Sequence, residues 1–178
     1  MLEINIEGSE QYNEETSEFI YVKPQVLKLE HSLVSISKWE SKWHKPFLQN
    51  NDKTVEEVMD YIRCMTINQV NSYVYNALTH DNIDTIQKYI EDPMTATTIK
   101  SMPEKRNNEL VTSELIYYWM VALNIPFECE KWHINRLLTL IQICNIKNQP
   151  AKNMTRREIM SQNRLINEAR RAKYHTKG

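Results

Sequence analysis

The sequence predicts a mainly α fold: a single compact helical domain with a central αα-hairpin and minor β elements near the N-terminus and around residues 95–111. Three observations predict it. The 178 residues include only two glycines, Gly8 and Gly178, which argues against turn-rich β folds and against glycine-built phosphate or dinucleotide loops. Apolar residues recur at helical spacing through most of the chain. The most hydrophobic stretch, Thr112 to Asn145, reads as a helix, a turn and a returning helix. Leu115 to Leu123 is a run of nine apolar or aromatic residues, Asn124-Ile125-Pro126 breaks it, and Ile134, Leu137, Leu138, Ile141 and Cys144 follow at helical spacing. The remainder is expected to pack around this hairpin.

Composition bounds the class. Hydrophobic residues make up 41% and charged residues 25%, ordinary for a globular chain long enough to bury a core. The longest apolar run is well below the roughly 18 residues of a membrane span. The acidic N-terminal stretch lacks a basic, hydrophobic targeting segment, so a cytoplasmic location and no membrane partner are expected. Cys64, Cys129 and Cys144 suggest neither a disulfide framework nor a zinc cluster. The net charge of −1 hides an asymmetry: −7 over residues 1–150, +6 over residues 151–178. The chain therefore divides into an acidic helical body, 1–150, and a basic C-terminal helix or tail, 151–178, that calls for a partner or folds back.

In chain order, Leu2-Glu3-Ile4-Asn5-Ile6 alternates as a half-buried strand does. Gly8 to Glu18 reads as a polar loop. Phe19–Val22 is β-prone, with Val26–Leu29 extending or pairing with it after Pro24. His31 to His44 is helical and ends at Pro46. Thr54 and Glu57 have capping-box spacing, ahead of a stripe of Val55, Val58, Met59, Ile62 and Met65. A short helix is expected over 70–78. Another is expected over 82–91, capped by Asp81, stopped by Pro93 and turning Ile83, Ile86 and Ile90 inward. Residues 95–111 read as a loop or small hairpin. Thr112 or Ser113 caps the central helix. A linker over 147–152 leads to Thr155 and Glu158, again at capping-box spacing, and to a thinly apolar basic helix ending near Lys173.

No constellation carries obvious chemistry. Cys129 and His133, four apart on one helix, are two ligands without a second pair. His31-Ser32 lacks the glycine-turned elbow of a nucleophilic serine. No catalytic residue, metal or cofactor is assigned. Trp119, within the apolar run, reads as core. Trp39, Trp43 and Trp132 sit among charges. They are core residues or, with Arg136 one turn beyond Trp132, half-exposed anchors for a protein partner. The basic tail residues Arg156, Arg157, Arg164, Arg170, Arg171 and Lys173 suit phosphates or an acidic surface, including that of a second copy.

Two strings resemble a known family: Leu29-Glu30-His31-Ser32-Leu33-Val34-Ser35-Ile36-Ser37-Lys38-Trp39-Glu40, and Ile125-Pro126-Phe127-Glu128-Cys129-Glu130-Lys131-Trp132-His133-Ile134-Asn135-Arg136-Leu137-Leu138. They resemble the tail assembly chaperones encoded by long-tailed bacteriophages and prophages, over about Phe19 to Arg171. The resemblance implies a non-catalytic, mostly helical protein of the bacterial host cytoplasm. Such proteins coat the tape-measure protein during tail morphogenesis, recruit tail-tube subunits, and are absent from the mature virion. A second, longer form made by ribosomal frameshifting is also implied. Trp39, Trp43, Trp132 and Arg136 are then the candidate partner groove, and self-association of tail on body is expected. The alternatives are a structural tail or connector component retained in the virion, or a small nucleic-acid-binding regulator using the basic tail.

Overall fold

The computed structural model of the chain describes residues 1–13, 17–49, 52–99, 110–148 and 156–174. The chain divides into two compact units, Met1–Cys144 and Asn145–Gly178. The fold is mainly α with a minor strand component.

The first unit opens with two nested antiparallel pairs. Strand β1 (Leu2–Ile6) pairs with β4 (Gln25–Leu29), and β2 (Ser9–Asn13) pairs with β3 (Glu18–Val22). Alternation in β1 and β4 turns Ile4, Ile6, Leu27 and Leu29 into the core. Two expectations are corrected here. Within the polar stretch expected to be a loop, Ser9–Asn13 is a strand, because pairing with β3 overrides its weak propensity. Strand β4 pairs with β1 and not with Phe19–Val22. Residues 65–68 then line the edge of β4. Glu30 N–H donates to the Met65 carbonyl and Ile67 N–H to the Lys28 carbonyl, while the Asn68 amide takes Lys28 N–H and donates to the Val26 carbonyl.

Helix α1 (Leu33–Trp43) starts in a reciprocal Ser32–Ser35 cap and ends at His44, in the left-handed region at φ 54°. Helix α2 (Val55–Met65) begins in the Thr54–Glu57 capping box that the spacing predicts. The helix expected over 70–78 is a 3-10 turn, Ser72–Ala77. Helix α3 (His80–Glu91) is capped by Thr79, two residues before the Asp81 expected to do so. Among the described residues of 95–111, namely 95–99 and 110–111, there is no strand; residues 100–109 lie outside the described residues.

Helix α4 (Ser113–Ala122) is capped by Thr112. A 3-10 turn, Phe127–Lys131, separates it from α5 (Ile134–Asn148). Cys129 and His133 therefore do not share a helix. The nine-residue apolar run is not buried all round: Ile116 and Met120 are fully buried, Trp119 is half-buried, and Tyr118 and Val121 are exposed. The second unit contains α6 (Arg156–Tyr174), whose described side chains are all exposed. The expected Thr155–Glu158 cap lies outside the described residues.

The core is organised on α1, which packs against α2, α4 and the 127–131 turn. Leu33, Ile36 and Trp39 are fully buried along it. Glu40 is buried beside them, and its carboxylate is used by two distant backbone amides. Phe47 N–H donates to Oε1 at 2.8 Å, and Ser113 N–H, in the first turn of α4, donates to Oε2 at 2.7 Å. Charge-assisted bonds of this kind are the strong ones, and the N-terminus of α4 favours the negative charge. Glu40→Ala strands both amides and should lower unfolding stability by about 3 kcal/mol. Glu40→Gln, which keeps one acceptor, should lose less. Urea denaturation of the three proteins checks this, and equal stability of all three would remove Glu40 as the anchor of α4.

Candidate functional site

Residues 29–40 and 125–138 meet in the fold, and they build a buried polar framework. Ile134 N–H donates to the His31 carbonyl at 2.8 Å, and Ser32 and His133 form a bridge. The His31 and His133 rings meet edge to face with centroids 5.0 Å apart. His133 Nδ1 accepts the Asn135 N–H, so its Nε2 carries the proton and donates to the Tyr89 carbonyl at 2.9 Å. The Asn135 amide donates to the carbonyls of Ile90 and Asp92, closing the C-terminal end of α3. Tyr89 O–H donates to Glu30 at 2.6 Å, and the Met1 ammonium pairs with the other Glu30 oxygen at 2.8 Å.

His31 is paired with Tyr61, its Nδ1 lying 2.5 Å from the hydroxyl oxygen. Burial, with the neighbouring His133 and Lys53, lowers the His31 pKa to about 3. Burial raises the Tyr61 pKa well above its ordinary value. Both are therefore neutral around pH 7: the imidazole is a poor base and the phenol a poor nucleophile.

Beside this pair lies an open cleft of about 630 Å³ between α2 and α3. Phe47, Leu48, Val58, Ile62, Ile83, Ile86 and Ile90 form its apolar lining, and His31, Tyr61 and Asn135 also border it. Lys53 stands at the same cleft, its ammonium 4.3 Å from the Phe47 ring centroid, and burial lowers its pKa. The stripe Ile83, Ile86, Ile90 was expected to face a closed core. Only Ile86 is fully buried; the other two are half-buried on the wall of the cleft. The periodicity was a visible signal for this site, but nothing local showed that α2 and α3 stand apart.

The four sequence-predicted anchors do not converge. Trp39 is 0% exposed, and its indole N–H donates to the Glu57 carbonyl. It has no surface to offer a partner. Trp43 is half-buried, donates to Asp60 at 2.9 Å, and has the Lys42 and Lys45 ammoniums 5.7 and 6.0 Å from its ring. Lys42 also pairs with Asp60 and Lys45 with the buried Glu57, which keeps both carboxyls below their usual range. Trp132 is half-buried under the Arg136 guanidinium, 4.1 Å from its ring. It precedes His133 near the start of α1, whereas Trp43 closes α1, about 16 Å of helix away. Arg156, Arg157, Arg164, Arg170, Arg171 and Lys173 are exposed on α6, with Arg164 bonded to Glu168.

Among the described residues no group of three metal-ligating side chains occurs, and no helix is long and apolar enough to cross a membrane. The chain matches no protein-family model, no curated protein and no solved structure.

The His31 environment sets a pH dependence. Its folded pKa of about 3 lies below the unfolded value of 6.5. The unfolded chain takes up the proton first, so this contribution to stability is complete above pH 6.5 and is lost as the pH falls toward 3. The slope approaches about 1.4 kcal/mol per pH unit. Glu57 and Asp60, with lowered pKa values, begin to lose their contributions only as the pH approaches their unfolded values of 4.5 and 3.8. Urea midpoints between about pH 7 and 4.5 should therefore fall for the native chain and stay nearly level for His31→Asn. An equal slope in both proteins would assign the effect to another group.

Proposed function

We propose that the chain is a non-catalytic phage tail assembly chaperone that receives an amphipathic helix of the tape-measure protein in the cleft between α2 and α3 and recruits tail-tube subunits to it. The observation that carries this reading is the cleft: seven apolar side chains line an open groove between two helices. A groove of that kind suits the apolar face of a helix presented at i, i+3, i+4 and i+7. Two further features support the role. The titratable pair bordering the cleft, His31 and Tyr61, is held neutral by burial, and the resemblance in the Glu30–Glu40 and Trp132–Leu138 strings points the same way. Trp132 with Arg136 is a second contact point, aromatic and cationic as interface centres commonly are. In this role residues 1–150 act as one acidic body, with residues 151–178 as a basic arm. The protein works in the host cytoplasm and leaves before the virion is complete.

Affinity capture from cells making the whole tail locus, with mass spectrometry of the eluate and of purified particles, tests the assignment. A very long helical protein and the tube subunit should appear in the eluate, and the chain should be missing from particles. Ile83→Asp and Ile90→Asp should each reduce capture of the long protein by about tenfold or more, about 1.4 kcal/mol. Thermal unfolding should move by no more than a few degrees for these half-buried positions. Fixed-ratio presence in particles would favour a structural tail component. Recovery of nucleic acid alone would favour a regulator acting through the α6 arginines.

A further inference from the structure

We propose that α6 of one copy of this chain docks, through its isoleucine face, on the aromatic face of the β2–β3 hairpin of a second copy. The contact is independent of what fills the α2–α3 cleft. On α6, Ile159 and Ile166 are seven residues apart, Arg170 follows four later and Lys173 seven later, so all four lie on one helix face. Ile159 is 45% exposed and Ile166 42%. Arg157, Arg164 and Arg171 repeat at seven-residue spacing on the far side. A helix with so thin an apolar stripe is marginal by itself and gains stability by covering the stripe.

The hairpin offers the complementary surface. Tyr12 pairs across the strands with Phe19, and Glu10 with Tyr21. Side chains opposite one another in an antiparallel pair share a face, so these four stand together. The Tyr12 and Phe19 ring centroids are 5.2 Å apart. Tyr12 is 55% exposed, Phe19 74% and Tyr21 59%. The opposite face carries Val22, which is buried. One face of the hairpin thus carries the buried Val22, and the other presents three aromatic rings and a carboxylate.

Charge selects a second copy as the occupant. Residues 1–22 contain six Glu and no Lys or Arg, whereas α6 contains six Lys or Arg and two Glu. Over the two units the balance is 13 basic against 21 acidic residues in Met1–Cys144, net −8, and 9 against 2 in Asn145–Gly178, net +7. Each copy carries, nearly in full, the charge that another copy needs. A polyanion would match α6 but would leave the acidic aromatic face unexplained. The lengths also agree: Ile159 to Lys173 spans about 21 Å of helix, and the five-residue strands span about 17 Å. Isoleucines cover the rings, and Arg170 or Lys173 reaches Glu10 or an aromatic face. Each copy has one donor helix and one acceptor hairpin, so the contact is heterologous and builds rings or open chains.

Sedimentation velocity on the full chain, with exposed-site variants, tests this. The native chain should associate with rising concentration at about 50 mM salt and weaken about tenfold or more at about 500 mM. Phe19→Ser, which removes the acceptor, and Ile166→Ser, which removes the donor, should each weaken association by about tenfold or more, while all three proteins give the same circular dichroism at dilutions where each is monomeric. Mixed together, the two variants should form a one-to-one heterodimer, because one still has its α6 face and the other its hairpin. A native chain that stays monomeric, association indifferent to both variants, or failure of the mixture to pair would each overturn the proposal. A concentration-independent, salt-sensitive effect of both substitutions in a monomer would also overturn it, in favour of α6 docking on its own hairpin.

Discussion

A buried carboxylate holds the helical arrangement together. Glu40 leaves α1 in its last turns, buried at 7% exposure, and joins the amides of Phe47 and Ser113. One bond reverses the chain after α1, and the other fixes the first turn of α4, 73 residues further on. The packing of α4 on α1 follows from that anchor. So does the position of Phe47, which stacks near Tyr61 and forms part of the cleft wall. A carboxylate removed from water must be fully used or it destabilises the fold. Here both oxygens are used by backbone donors.

The second constraint is the framework of Glu30, His31, His133 and Asn135. These residues tie the entry to α1, the exit of α3 and the entry to α5 with hydrogen bonds that leave little freedom. They come from the stretches 29–40 and 125–138, which meet here to build a polar scaffold. The cleft exists because α3 is held at its C-terminal end by this framework while its isoleucine stripe is only partly covered. Apolar surface left open beside a rigid polar frame is the arrangement a binding groove needs.

Flanking charge alone did not show which indoles reach the surface. Trp39 and Trp43 occupy one side of α1, yet the ring of Trp39 is consumed by the core and that of Trp43 by Asp60 and two lysines. Flanking charges made both look exposed. Those charges belong to the neighbouring helix faces, and two of the lysines serve carboxylates on α2.

Local chemistry was legible wherever a few consecutive residues decide the outcome. The sequence by itself determined the mainly α character, the alternation of β1, the Thr54–Glu57 cap and the charge division between the body and the C-terminal helix. These depend on side-chain period, on the supply of capping oxygens and on counting charges. Only the tertiary structure decided which strands pair, that residues 9–13 become a strand, that Glu40 spans from α1 to α4, and that α2 and α3 stand apart to leave a cleft. Those outcomes rest on contacts between residues tens of positions apart. Their energy depends on which faces meet, and no local pattern encodes that.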